Sequence, residues 1–274
     1  MGQPHAPKLR VSILFQAGFN PIRSLTVSTI STAPITAGIE YRDDPRQHAI
    51  YQLRNTPTRH YPFEHVVLND VFPADYYQDL IDYLPADDAY TPANNGMYPE
   101  RGRLMLSTNK QDGSQNNLDN LTADAREFWT HFRDHVINKD FWGTLVESFA
   151  PTLTSRVLDT CWLQSFLSRD RGGYAISPHT DTSKKLISVL FYLPTSEAVL
   201  DCGTSIVVSN QPEHNTFNVP HSGNWDGFDI AHTVPFAPNS MIGFLVSDTS
   251  LHAVKPTPPG TARDTIQFNV MMPE

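Results

Sequence analysis

Apolar residues along the chain fall into two textures. Tyr76, Tyr77, Leu80, Ile81 and Leu84 recur at helical spacing. Pro73 stands where a first helical turn accepts proline, and Pro85 stops the run. Residues 122–138 repeat the pattern, with Phe128, Trp129, Phe132 and Val136 on one apolar face. Asp140 can cap a further helix that turns Phe141, Leu145 and Phe149 inward before Pro151. Beyond residue 155 the segments become short, β-branched or aromatic, and separated by turns. They are 158–168, 186–193, 205–209, 231–236, 241–247 and 265–272, and 63–68 reads as an earlier strand. Helices followed by a run of short strands predict a mainly β chain with N-terminal helices. Its core is expected to be a double-stranded β-helix, a cupin-like jelly roll.

Two polar stretches fit neither texture. Residues 86–120 carry Asn94-Asn95-Gly96, Gly102, Gly113 and Asn116-Asn117, which is turn chemistry. Residues 210–230 form a second long loop. Loops of this length in compact domains often frame binding sites, and both are expected to border a substrate pocket. Arg101 and Arg103 lie in the first, where arginines either solvate a loop or meet an anionic substrate. His214, His221 and His232 belong to the second region, and none has a carboxylate two residues away that leads into a suitable strand.

Composition narrows the class. The chain has 274 residues, enough for one catalytic domain with decorations. Residues 46–274 read as one domain, with helical support over 70–150 and the jelly roll over 155–272. Residues 1–45 read as an extension. Its first 39 residues contain Lys8, Arg10 and Arg23 and no acid, and serine and threonine crowd Ser24 to Thr36. That composition suits an organellar transit peptide, and a poorly packed extension is the plainer reading. The net charge of −9 disfavours a nucleic-acid backbone as partner. Cys161 and Cys202 form no C-x-x-C pair, so they read as reduced thiols in a cytoplasmic protein. No apolar run approaches bilayer-spanning length.

The chemistry concentrates in His179-Thr180-Asp181 and in His252, which follows 71 residues after Asp181. Residues two apart in a strand share a face, so His179 and Asp181 can grip one metal from a sheet edge. Two imidazoles and one carboxylate are the ligand set of a facial iron(II) site. An H-x-D triplet by itself also suits a surface histidine in a loop. The triplet here leads into the apolar run Leu186–Leu193, and Arg263 opens another strand 11 residues after His252.

Together these features resemble the 2-oxoglutarate- and iron(II)-dependent dioxygenases, especially their prolyl-hydroxylase-like bacterial branch. The resemblance covers roughly residues 155–272 and is suggestive from Tyr61 to Pro85. It implies that His179, Asp181 and His252 hold Fe(II), and that Arg263 pairs with the distal carboxylate of 2-oxoglutarate with Thr265 as helper. The family's Tyr-x-Pro-Gly before the triplet is replaced by Arg171-Gly172-Gly173-Tyr174, which leaves Tyr174, Gln164 and Tyr192 as candidate co-substrate contacts. The implied reaction consumes O2 and 2-oxoglutarate, releases succinate and CO2, and hydroxylates or desaturates an unactivated C–H bond. A small-molecule or amino-acid-type substrate is favoured. Halogenating relatives replace the carboxylate with a small residue, so Asp181 argues against halogenation.

Two other readings stay open. One is a metal-dependent jelly-roll enzyme that does not use 2-oxoglutarate and has no need of Arg263. The other is a non-catalytic jelly-roll binding module whose function lies in the loops. A serine hydrolase is poorly supported, because no G-x-S-x-G occurs.

Overall fold

Alternation along one strand sorts the side chains of this protein into layers. In β11 (Ala262–Met271), Ile266, Phe268 and Val270 join one apolar cluster, while Arg263, Thr265, Gln267 and Asn269 point to the opposite face. The computed structural model describes residues 43–93, 98–108, 113, 115–149, 159–218 and 223–273. The expected extension therefore falls, up to residue 42, outside the described residues.

The other strands are β1 (His65–Asn69), β2 (Thr91–Ala93), β3 (Tyr98–Met105), β4 (Trp162–Arg171), β5 (Ile176–His179), β6 (Lys185–Leu193), β7 (Thr204–Ser209), β8 (Phe228–Thr233), β9 (Ser240–Leu245) and β10 (His252–Val254). All pair antiparallel among the described residues. The larger sheet runs β1-β9-β6-β11-β4-β3-β2 and the smaller β5-β10-β7-β8. Leu190, Tyr192, Ile242 and Phe244 of the larger sheet cluster with Ile206 of the smaller, so the two inner faces pack together. This is the expected jelly roll.

The outer face of the larger sheet is covered by α1 (Pro45–Arg54), α2 (Ala74–Asp82), α3 (Ala123–His131) and α4 (Lys139–Phe149). Trp129, Phe132, Phe141 and Leu145 pack there against Val189, Phe191, Ile266 and Phe268. Each such buried side chain contributes about 1.5–3 kcal/mol. Apolar faces therefore decide the placement of the helices, while local chemistry sets their ends. Asp44 caps α1 by accepting from the backbone N–H groups of Arg46 (2.9 Å) and Gln47 (3.1 Å).

Several expectations need correction. The capping oxygen at α4 comes from Asn138, which accepts from the Asp140 N–H at 3.0 Å; Asp140 sits inside the first turn and pairs with Arg46 at 3.1 Å. The helix expected over 122–138 ends as α3 at His131 and continues as a π-helical turn, Phe132–Val136. That wider turn keeps Phe132 and Val136 both buried, and Arg133 donates to the Leu106 carbonyl at 2.9 Å. Residues 86–120 are not one long loop, because β2 and β3 lie within them and β3 pairs with β4. The short strands β5 and β10 also carry no clear periodic signal. Pro151 lies outside the described residues. No helix among the described residues is long and apolar enough to cross a membrane.

Candidate metal centre and its cavity

Strand register brings the two histidines together. His179 ends β5 and stands opposite His252, which opens β10, and their ring centroids lie 4.1 Å apart. His179 Nδ1 donates to the Ser177 carbonyl at 3.0 Å, and His252 Nδ1 donates to the Ser250 carbonyl at 2.9 Å. A carbonyl only accepts, so each ring carries its proton on Nδ1 and keeps its lone pair on Nε2. Asp181 lies just past the end of β5 and completes the group. One donor atom from each of the three residues lies within 4.8 Å of the others. Two nitrogens and one carboxylate oxygen at this spacing fit a divalent first-row metal such as iron(II). His214, stacked on Phe228, and the exposed His232 are not part of it, and His221 lies outside the described residues.

Electrostatics favour the metal-ready protonation states. Burial lowers the His252 pKa below the ordinary histidine value, which keeps the ring neutral. For Asp181 burial opposes ionisation, but the Lys185 ammonium, by its charge and its hydrogen bond, outweighs it and holds the carboxyl well below the usual carboxylate range. Lys185 Nζ donates to Asp181 Oδ1 at 2.8 Å, and Ser188 Oγ donates to Oδ2 at 2.6 Å. Asn269 and Gln164 extend this polar floor, joined at 3.0 Å.

A cavity of about 580 Å³ opens over this group. Its sheet wall is a set of residue rows fixed by register. Arg101, Asp170 and Arg263 stand side by side on β3, β4 and β11; Arg103, Ser168, Thr265 and Tyr192 form the next row. Phe166, Gln267 and Leu190 follow, and then Gln164, Asn269 and Ser188 beside Asp181. The far row is a charge cluster. Asp170 accepts from Arg101 Nε at 2.6 Å and Nη2 at 3.1 Å, and from Arg263 Nη1 at 2.8 Å. Arg263 is fully buried; its Nε donates to the Cys202 carbonyl at 2.7 Å, and its guanidinium lies 4.7 Å from the Phe236 ring centroid. Its Nη2 has no hydrogen-bond partner among the described residues, although Arg263 lines the cavity.

Among the other expected contacts, Gln164 and Tyr174 line the cavity, and Tyr174 Oη has no hydrogen-bond partner among the described residues. Tyr192 and Thr265 are fully buried outside the cavity lining, and Tyr192 Oη donates to Thr204 Oγ1 at 2.8 Å. Both expected loop regions reach the wall. The first does so through Arg101 and Arg103 on β3; the second does so at Asn218, whose N–H donates to the Asp181 carbonyl at 3.3 Å. Lys185, Ser188, Asn269 and Asp170 were not singled out from sequence. Their signal is polar alternation: Gln164, Ser168 and Asp170 on β4, and Gln267 and Asn269 on β11, fall on the face opposite Leu167, Ile266 and Phe268.

The fold and site define a jelly-roll protein with a His–Asp–His metal-type centre. No family model and no curated protein matches the sequence. Solved structures similar to this chain include a Pseudomonas putida prolyl-4-hydroxylase, at 16% identity over 82% of this chain and 98% of that one, with a TM-score of 0.47. A Trichoplax adhaerens prolyl hydroxylase, bound to a hypoxia-inducible-factor peptide fragment, aligns at 12% identity over 83% and 89%, with a TM-score of 0.48. HygX from Streptomyces hygroscopicus, with nickel, 2-oxoglutarate and hygromycin B bound, aligns at 10% identity over 83% and 87%, with a TM-score of 0.46. At these levels of likeness, function has to be read from the side chains of this chain.

Proposed function

We propose that the protein is a 2-oxoglutarate- and iron(II)-dependent oxygenase that hydroxylates or desaturates an unactivated C–H bond of a small-molecule or amino-acid-type substrate. Succinate and CO2 are the co-products. The observation that carries this reading is one cavity holding both His179, Asp181 and His252 and the buried guanidinium of Arg263. The His179 and His252 Nε2 atoms and the Asp181 carboxylate would hold iron, and bound iron would let O2, as the oxidant, oxidise both 2-oxoglutarate and the C–H bond.

The protein's own part is orientation. The hydrogen bonds to the Ser177 and Ser250 carbonyls fix both imidazoles in the ligating tautomer. Lys185 and Ser188 aim the Asp181 carboxylate. Arg263 Nη2 is the donor available to the distal carboxylate of 2-oxoglutarate, and Gln164 and Tyr174 are polar neighbours on the same wall. Thr265 and Tyr192, candidate co-substrate contacts as well, stand one row nearer the metal than Arg263, with the Tyr192 ring centroid 5.8 Å from its guanidinium. Residues 46–274 are assigned as one catalytic domain of a cytoplasmic protein, whose two cysteines are too few for a disulfide framework.

One observation favours the reading without 2-oxoglutarate: Asp170 already takes Arg263 Nη1, so a fully bidentate grip on a second carboxylate is pre-empted. Anaerobic calorimetry with Fe(II) or Mn(II) separates the two. The oxygenase reading requires 2-oxoglutarate to bind the metal-loaded protein, and then, once O2 is admitted to the Fe(II) form, succinate release and product detected by mass spectrometry across a substrate panel. Metal binding without any 2-oxoglutarate binding would leave the alternative standing.

A further inference from the structure

We propose that Arg101 is a second anchor for the distal carboxylate of 2-oxoglutarate, so that two arginines clamped on Asp170 hold it from two strands; this rests on the oxygenase reading of the same cavity. Burial and charge carry the inference first. Arg101, Asp170 and Arg263 stand side by side on β3, β4 and β11, and only Arg101 keeps any exposure, at 8%. Two guanidiniums against one carboxylate leave this buried row with one positive charge in excess. Its neighbours do not cancel that charge. Asp264, the next residue of β11, lies on the opposite face and pairs with Arg169 at 2.8 Å. Tyr174, whose ring centroid is 4.4 Å from the Arg101 guanidinium, stays a neutral phenol because burial pushes its pKa up. A charge withdrawn from water needs a partner of opposite sign. Both arginines line the cavity and Asp170 does not, so a ligand meets the positive side of the row.

Hydrogen-bond geometry then assigns the donors. Arg101 takes Asp170 side-on, through Nε at 2.6 Å and Nη2 at 3.1 Å, which leaves its Nη1 without a partner among the described residues. Arg263 commits Nε to the Cys202 carbonyl and Nη1 to Asp170, which leaves its Nη2. Asp170 Oδ2 accepts from both arginines, so the two guanidiniums meet at a single oxygen. Neither can offer a ligand its whole fork, because each has given part of it to Asp170. One N–H group from each restores a two-point grip on a planar carboxylate, the geometry for which arginine is suited. The bidentate hold that Asp170 denies to Arg263 alone is thereby shared between Arg263 and Arg101.

The test is calorimetry under nitrogen on the full chain loaded with Mn(II), with 2-oxoglutarate and 2-oxopentanoate as probes. The second carries a methyl group where the first has its distal carboxylate, so the difference between them reports the grip on that group. The wild type should prefer 2-oxoglutarate. In Arg101→Gln the 2-oxoglutarate affinity should fall about tenfold or more, the scale of one hydrogen bond to a charged group. Affinities for 2-oxopentanoate and for Mn(II) should stay near wild type, whereas general damage to the fold would lower all three together. Arg101→Lys keeps a cation beside Asp170 and serves where the glutamine variant does not fold. Its ammonium lacks the fork, so its preference for 2-oxoglutarate should also fall, by less than in Arg101→Gln. The proposal is overturned if the wild type binds both oxoacids equally well. It is also overturned if, in the folded variants, 2-oxoglutarate loses no more affinity than 2-oxopentanoate and Mn(II) do. The latter result removes Arg101 alone and leaves the oxygenase reading standing, whereas no 2-oxoglutarate binding by the Mn(II)-loaded wild type overturns both.

Discussion

Arg263 and Asp170, both fully buried, face each other across β11 and β4 with Nη1 and Oδ2 2.8 Å apart. Register makes the pair, since each is the other's Cα partner in the antiparallel ladder. Arg263 is therefore a structural cation as well as a candidate co-substrate anchor. Arg263→Ala leaves Asp170 paired with Arg101 but strips it of one charge-assisted hydrogen bond, so the variant should lose about 1.5–3 kcal/mol of stability. Urea melts would measure this, and an unchanged midpoint would contradict it. Binding is best tested in Arg263→Lys, which keeps the charge and loses the fork. Its 2-oxoglutarate affinity should fall by about tenfold or more, a hydrogen bond's worth, while Mn(II) affinity stays near wild type.

His179→Ala and His252→Ala should each abolish turnover and sharply weaken Mn(II) binding, because three donors fall to two. Metal affinity from calorimetry and metal content from elemental analysis provide the check. Either variant retaining one metal per chain with full turnover would remove that histidine from the ligand set.

Much of this arrangement was legible in the sequence. Short β-branched or aromatic runs mark β6, β9 and β11, and the H-x-D triplet with its distal histidine marks His179, Asp181 and His252, which the structure brings together. What escaped was what depends on pairing. β3 looks like loop because Arg101, Gly102 and Arg103 carry no apolar alternation; it is a strand because β4 supplies its hydrogen-bond partners. In sequence Asp170 is one charge in the run Arg169-Asp170-Arg171, and only register shows it between Arg101 and Arg263. β10 has three residues, too few for a period to register.

The buried imidazole of His252 gives a pH signature. Burial depresses its pKa below 6.5 in the metal-free protein. Relative to the unfolded chain, the folded protein then resists protonation, so this group's contribution to stability is complete above 6.5 and is lost as pH falls through the lower folded pKa. Mn(II) binding should accordingly persist below pH 6.5 and weaken only as His252 takes up its proton. An NMR titration of the His252 ring in metal-free protein is expected to show a midpoint under 6.5. A midpoint at or above that value would mean that the Asp181 carboxylate, which raises this pKa, outweighs burial.

Gly203→Ala should disable the co-substrate end of the cavity while sparing the metal ligands. A Cβ at residue 203 would stand 1.6 Å from the Val234 carbonyl oxygen and 3.0 Å from the Phe236 nitrogen, and both are backbone atoms. Neither can swing aside as a side chain would, and the two segments are tied by Val234 N–H to Thr204 O at 2.9 Å and Phe236 N–H to Leu200 O at 2.8 Å. The methyl must therefore push the two segments apart. Overpacking of this kind costs about 1–3 kcal/mol or more. The displacement falls on Arg263, which hydrogen-bonds to the Cys202 carbonyl and packs on the Phe236 ring. His179, Asp181 and His252 are held by other contacts, the Ser177 and Ser250 carbonyls, Lys185 and Ser188. Gly203→Ala should thus lower the melting temperature and weaken 2-oxoglutarate binding more than Mn(II) binding, as measured by calorimetry on the same preparation. Equal loss of both ligands would mean that the damage is global, and wild-type affinity for 2-oxoglutarate would detach the Cys202–Phe236 cradle from co-substrate binding.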